Sequence, residues 1–433
     1  MSSGSEIYSL CNKIFPICRS ITGKGVYETF DILNDYLKNS GCPELSIHKI
    51  PSGTQVFDWT VPKEWTIRDA YIENEAGEHI IDFKDNPLHV LGYSTPVDEW
   101  VDLEELKKHI YVQDDMPDAI PYVTSYYKER YGFCMTKVMC DSLPEGKYHM
   151  YVDSELFDGN LAYGELIIPG ESEKEVMITS YVCHPNMADN ECSGPSLVCG
   201  LIKYVASLKK RKYTYRFYLG AETIGSIAYL SVNLEKLKKN VISAFVLSCV
   251  GDDRAYSIIE SKYADTLADR VLTNVLEHRA PGYVRYSFLK RGSDERQFGS
   301  QGVELPVVGF CRSKYAEYPE YHTSKDDMTV VSEEGFEGAY GVMTEVIDIL
   351  ENNDKYIVNC LCEPQLGKRG LYPDISKKGS YDSIFAMRDL ITYSDGRNDL
   401  LDISKRIGVP AAELIPIKNN LVEKELLRAA DQK

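Results

Sequence analysis

A chain of 433 residues exceeds one ordinary core, so two or three domains are expected. Its 43% hydrophobic and 26% charged residues are globular values, and a net charge of −18 argues against a nucleic-acid role for the whole molecule. There is no apolar run of membrane-spanning length and no signal-like N-terminus. Twelve scattered cysteines without a CxxC pair point to buried thiols in a reducing cytoplasm.

Residues 6–40 read as helical with a break at 20–25. Val26, Phe30, Leu33 and Leu37 mark one face of the second half. Arg19 and Thr22 read as helix-end caps. From 45 to 145 short β-prone pieces (45–50, 66–71, 79–83, 89–93) alternate with turn residues around one helical piece at 103–110, as in a small β-rich domain. Longer strands follow at 147–152 and 161–168, and Asp158-Gly159 between them reads as a hairpin turn.

Residues 173–350 alternate strands (175–182, 213–220, 242–250, 306–311) with helices (195–210, 225–239, 264–278, 333–351). That rhythm predicts an α/β fold: a mainly parallel-centred mixed sheet with helices on both faces. Beyond 350, helical patterns at 381–392, 399–407 and 410–428 are punctuated by Gly396 and Gly408, the grammar of a helix-turn-helix. From Phe385 to Lys433 eight Lys/Arg balance eight Asp/Glu, which favours a packing or partner role over DNA reading. The expected division is 1–44 with 146–358 as a discontinuous catalytic domain, 45–145 as an inserted β-rich domain, and 359–433 as a winged-helix-like domain.

Of eight histidines, His48, His79, His89, His109 and His149 lie near the β-rich region without a partner at ligand spacing, and His278 ends a helix, where a cation suits the dipole. His184 and His322 remain, each in a loop amid carboxylates. His184 follows the first sheet strand, with Asp189 and Glu191 in the same turn, and Ser193 or Gly194 is placed to cap the next helix. Glu222 follows strand 213–220, Asp252 follows 242–250, Asp294 lies in an acidic loop, and His322 lies in the loop 317–327. In an open α/β sheet such loops gather at the carboxyl ends of the strands. Two imidazoles with one or two carboxylates suit zinc with an open position for water. The alternative is an acidic binding cleft without metal.

The order of these motifs is similar to that of the zinc aminopeptidase superfamily, which includes glutaminyl cyclases. Over nearly its full length the chain resembles bacterial aminopeptidase-like proteins, which carry an inserted β-rich domain and a C-terminal winged helix and often accompany surface-polysaccharide or secondary-metabolite genes. Residues 15–23, 56–62, 291–297, 318–323 and 365–373 carry that resemblance. It implies His184 and His322 as metal ligands and Glu222 as general base. Three superfamily carboxylate positions fall on Asn190, Thr223 and Ser248, with Asp252 a distant replacement. The resemblance therefore implies one zinc ion at most, held by His184, His322 and one of Asp189 or Glu191. Asp294 and Arg296, with Tyr318 and Tyr321, would contact substrate.

The expected function is a single-metal hydrolase of aminopeptidase type that cleaves or transfers an amide-linked amino acid on a small peptide or metabolite. Its partners would be that small substrate and, through the C-terminal domain, a protein or a second copy, with no membrane and no nucleic acid. The rival is a catalytically silent binding protein with a degraded metal site, and a DNA-associated regulator is a third reading.

Overall fold

The computed structural model describes residues 2–371 and 382–430. Tyr372 and Pro373, ending the 365–373 motif, Tyr381, opening the predicted helix 381–392, and residues 431–433 of the predicted C-terminal domain lie outside them. The chain divides into two compact units. One comprises 1–264 and 284–340, and the other 265–283 and 341–433.

The first unit is built on an eight-stranded mixed sheet. Its strands run, in spatial order, Ser46–Pro51, Asn160–Ile168, Tyr213–Gly220, Ser172–Tyr181, Val241–Leu247, Val307–Cys311, Ser257–Ile259 and Val284–Tyr286. The four central strands are parallel to one another. Asn160–Ile168 joins antiparallel, and Ser46–Pro51 pairs antiparallel beyond it. The centre is apolar without alternation because both faces are covered: Val176, Met177 and Ile178 are each fully buried. Helices Ser193–Ser207 and Ile224–Asn240 follow the first two central strands, as the α/β rhythm predicts.

Asp158-Gly159 does not close a hairpin. Lys147–Phe157 pairs with Glu64–Asn74 and Val97–Asp102 in a separate four-stranded sheet, whereas Asn160–Ile168 enters the large sheet. The turn signal was sound, but turn residues specify a reversal and not which strand will be the neighbour. The 89–93 piece forms a 3-10 turn, Pro87–His89, followed by isolated bridges at Val90 and Gly92.

In the second unit a three-stranded antiparallel sheet, ordered Asp395–Asp399, Lys355–Val358, Leu427–Ala429, packs with helices Asp382–Tyr393, Leu400–Ile407 and Ala411–Glu423. Asp399 and Asp402 form a capping box that starts the middle helix, and Gly408 ends it in the left-handed conformation that favours glycine. Helix Leu267–Arg279 belongs to this unit: Arg270 bonds Asp399 and Asp402, and Asn274 donates to Ser404. All twelve cysteines are unpaired, and no helix among the described residues is long and apolar enough to cross a membrane.

Candidate functional site

The parallel strands end at the same edge, so the loops after them converge. Strand Ser172–Tyr181 delivers Cys183 and His184, and the chain then winds through a π turn, Ala188–Cys192, directly into helix Ser193–Ser207. The expected cap at Ser193 or Gly194 is therefore inside helical structure. Ser193 Oγ instead donates to Asp189 O (2.6 Å) and accepts from Val250 N (3.0 Å). Thr223, Cys249 and His322 each adopt a left-handed backbone in the loops after three central strands. Such strain in non-glycine residues concentrates at functional sites.

His184 is buried, with Nδ1 3.2 Å from Glu191 Oε2 and Nε2 3.9 Å from Glu222 Oε2. Burial alone would lower its pKa, but the bond to Glu191, with the charges of Glu191 and Glu222, reverses the sign and raises it. Glu191 is committed elsewhere too. It accepts from Arg19 Nε (2.7 Å), His184 N (2.7 Å) and Cys183 N. Burial pushes its pKa up, but His184, Arg19 and the amide outweigh that and hold it below the ordinary range. Arg19 does bond the end of the first helix, at Ile14 O, as a cap would, but it is also the buried cation that neutralises Glu191. Thr22 caps no helix. Its hydroxyl meets Trp65 N and Tyr93 OH.

Asp189 is buried, and its Oδ2 has no hydrogen-bond partner among the described residues. Its Oδ1 accepts from Gly251 N (2.8 Å), and burial together with the charges of Asp252 and Asp326 drives its pKa well up. Asp252 is held by Ser313 and Arg254 N. Asn190 does sit in the site: its Oδ1 lies 3.1 Å from His322 Nε2, and its Nδ2 donates to Tyr181 OH and Cys249 Sγ. Tyr181 OH also bonds Ser248 Oγ, so two of the neutral replacements are joined through one tyrosine. His322 stacks on Tyr321 at 3.8 Å and stands 5.2 Å from the His184 ring. Burial, then His184, push its pKa well down, leaving a neutral imidazole. Tyr318 is buried and donates to Asp326 (2.8 Å), which holds the Asp189 and Asn190 amides.

Glu222 is about a quarter exposed (24%), so its carboxylate borders the cleft. Burial raises its pKa against the opposing pull of His184. Asp294 is fully buried behind it, accepting from Thr223 N and Ser226 Oγ (both 2.8 Å). Burial and the charge of Glu222 push its pKa up to about 7. Arg296 bonds Thr223 Oγ1 and is half-buried beside Glu222.

The region 45–145 also reaches this site. Pro121 bridges Thr323, Tyr122 N donates to His322 O (3.0 Å), and the Tyr122 ring packs 5.3 Å from His184 and 5.1 Å from His322. Tyr122 and Tyr126 share a hydroxyl bond of 2.7 Å. Neither tyrosine was legible in the sequence, where 31 tyrosines carry no positional signal.

The expected zinc can be tested against these donors. Cys183, His184 and Glu191 are a cluster of metal-binding types with ligand atoms within 4.8 Å of one another. They do not suit a cation, because Arg19 already neutralises Glu191 and burial keeps the Cys183 thiol protonated. What faces the space between the two histidines is the two imidazole rings and the Asn190 carbonyl, with the Glu222 carboxylate beside His184. Glu191, already paired with Arg19, does not fit as the acidic ligand of a zinc ion held by His184 and His322.

The family model for a domain of unknown function (DUF4910) matches residues 8–353, and that for a winged helix-turn-helix matches 354–429. A candidate polysaccharide biosynthesis protein with an aminopeptidase-like domain, from Clostridium acetobutylicum, is 44% identical over 428 residues, covering 98% of this chain and 96% of the relative. The crystal structure of a candidate peptidase from the same organism superposes with a TM-score of 0.92 at 43% identity, covering 99% of this chain and 96% of that one. A zinc aminopeptidase from Bacillus subtilis superposes at 0.59 with 13% identity, covering 80% and 93%, a likeness of fold. The chain thus belongs to the DUF4910 family, combining an aminopeptidase-like domain of the zinc exopeptidase fold with a C-terminal winged helix.

Proposed function

We propose that the cleft binds a small molecule bearing an amino-acid group and does so without a tightly held zinc. One observation carries this reading: Glu191 is spent on Arg19, Asp189 is held at one oxygen by the Gly251 amide with its pKa driven well up, and a neutral Asn190 faces His322. Glu222 receives the ligand's ammonium, Arg296 its carboxyl or carbonyl oxygen, and Tyr321 walls the cleft. Asp294 is a positioning residue, since it is buried and acts on Glu222 through Thr223 and its own proton. The polysaccharide-biosynthesis description of the Clostridium relative supports a ligand drawn from polysaccharide building blocks.

The second reading is a single-metal hydrolase of an amide-linked amino acid, favoured by a neutral His322 imidazole standing 5.2 Å from His184. A metal bound there would polarise the scissile carbonyl.

Metal analysis of protein purified without added zinc or chelator separates the two. Our reading expects well under one equivalent. It also expects Asn190→Asp to raise zinc uptake toward one, and Glu222→Gln to weaken L-alaninamide binding about tenfold or more. Near-stoichiometric metal in wild type that disappears in His184→Ala, with turnover of amino-acyl amides, would establish the hydrolase instead.

A further inference from the structure

A cavity of about 300 Å³ is linked to the two histidines through a pair of tyrosines. Tyr126 lines it, and its hydroxyl bonds that of Tyr122, whose ring packs on both His184 and His322. The cavity's other walls include Val61, Pro62, Tyr93, Tyr127 and Leu156, and the exposed Lys63 and Glu129 supply polar groups. Most of these residues belong to the β-rich region and its connections to the large sheet.

The wall tyrosines have little polar capacity left for a ligand. Tyr93 OH meets Thr22 Oγ1 (2.6 Å) and Lys63 O (3.0 Å), and Tyr126 OH is taken by Tyr122. What they offer is ring surface, with Tyr93 and Tyr126 set edge to face at 5.3 Å. The lining residue Tyr127 packs against Trp59 at 5.5 Å, and the two rings remain 57% and 40% exposed. Large aromatic side chains left in water around a concave apolar cavity mark a binding surface.

We propose that this cavity is a subsite for a ring with a flat apolar face, linked to the amino-acid group held at Glu222. Two sources share that chemistry, an aromatic ring and the C–H face of a sugar, and the polar groups of Lys63 and Glu129 suit the hydroxyls of the latter. The proposal rests on the cleft reading above, and its test separates their failures.

The full chain is titrated with L-alaninamide, L-alanine 2-naphthylamide and N-(L-alanyl)glucosamine, by calorimetry. At least one ring-bearing compound should bind about tenfold tighter than alaninamide, the size of one good stacking contact. Leu156→Trp, which fills the cavity, and Tyr127→Ala, which removes an exposed wall, should each erase that advantage and leave alaninamide binding unchanged. Tyr127 is exposed enough that its truncation leaves the fold intact. A naphthyl advantage assigns an aromatic ring, and a glucosamine advantage assigns a sugar. If neither exceeds alaninamide, or if both variants keep the advantage, the subsite is overturned while the cleft reading stands. If alaninamide does not bind but a ring compound binds and is lost in Tyr127→Ala, the subsite stands and the cleft reading falls.

Discussion

Asp294 shows how a buried carboxyl behaves when no cation comes to meet it. Its Oδ1 accepts two hydrogen bonds, its Oδ2 has no partner, and Glu222 lies beside it. Its pKa of about 7 lies above the unfolded value near 3.9. Between about pH 4 and 7 the folded chain therefore holds a proton that the unfolded chain has released. The associated stability is fully present below that window and is lost as pH rises through it. Asp294→Asn imitates the neutral form. The drop in urea midpoint from about pH 5 to about pH 8 should be smaller in this variant than in wild type. An equal drop in both proteins would mean that Asp294 is not protonated in the fold. His184, His322 and Glu222 were legible at this scale because each stands in a loop immediately after a strand or turn with a clear local pattern. Arg19 was not, since its partner Glu191 is 172 residues away and only half of its role, the bond to Ile14, is local.

At the scale of elements, the site depends on how closely helix Ser193–Ser207 approaches the sheet. A Cβ at Gly194 would lie 2.0 Å from Ser180 Oγ and 2.9 Å from Leu247 O. The hydroxyl can rotate away but the strand carbonyl cannot. Gly194→Ala should cost about 1–3 kcal/mol in a denaturant titration, the usual scale of overpacking. An unchanged midpoint would show that the helix can back off without loss. Periodicity found the four central parallel strands and the two helices that follow the first two of them, because apolar spacing is a local property, but not the short strands Ser257–Ile259 and Val284–Tyr286 at the sheet's edge. It did not find the π turn that carries the chain from Ala188 into the helix, nor the sheet that each strand of the 147–168 stretch would join. Those outcomes depend on Asp326 seating the Asp189 and Asn190 amides and on which strand edges are open.

For the whole molecule, the C-terminal unit has a winged-helix fold without the charge of a DNA reader. Its eight basic and eight acidic residues from Phe385 onward cancel. Lys418, on the last helix, is buried with its ammonium 2.9 Å from Asn352 Oδ1 and over the Tyr356 ring. The full chain should therefore show no salt-dependent affinity for duplex DNA in an anisotropy titration at about 50–200 mM salt. A steep fall of affinity across that range would assign the unit a phosphate-contacting surface.

The α/β class and the loop positions of His184, Glu222 and His322 could be read from the chain alone, because apolar periodicity and strand-end loops are local. The winged helix, by contrast, was implied by resemblance, and its strands Lys355–Val358, Asp395–Asp399 and Leu427–Ala429 were not read. Whether the carboxylates of the His184 turn stay free was decided only in three dimensions. Arg19 approaches Glu191, and Gly251 approaches Asp189. Tyr122 closes over both imidazoles from a region that carries no motif of its own. A charge's availability is set by what neutralises it, and the cation that meets Glu191 comes from a distant part of the chain.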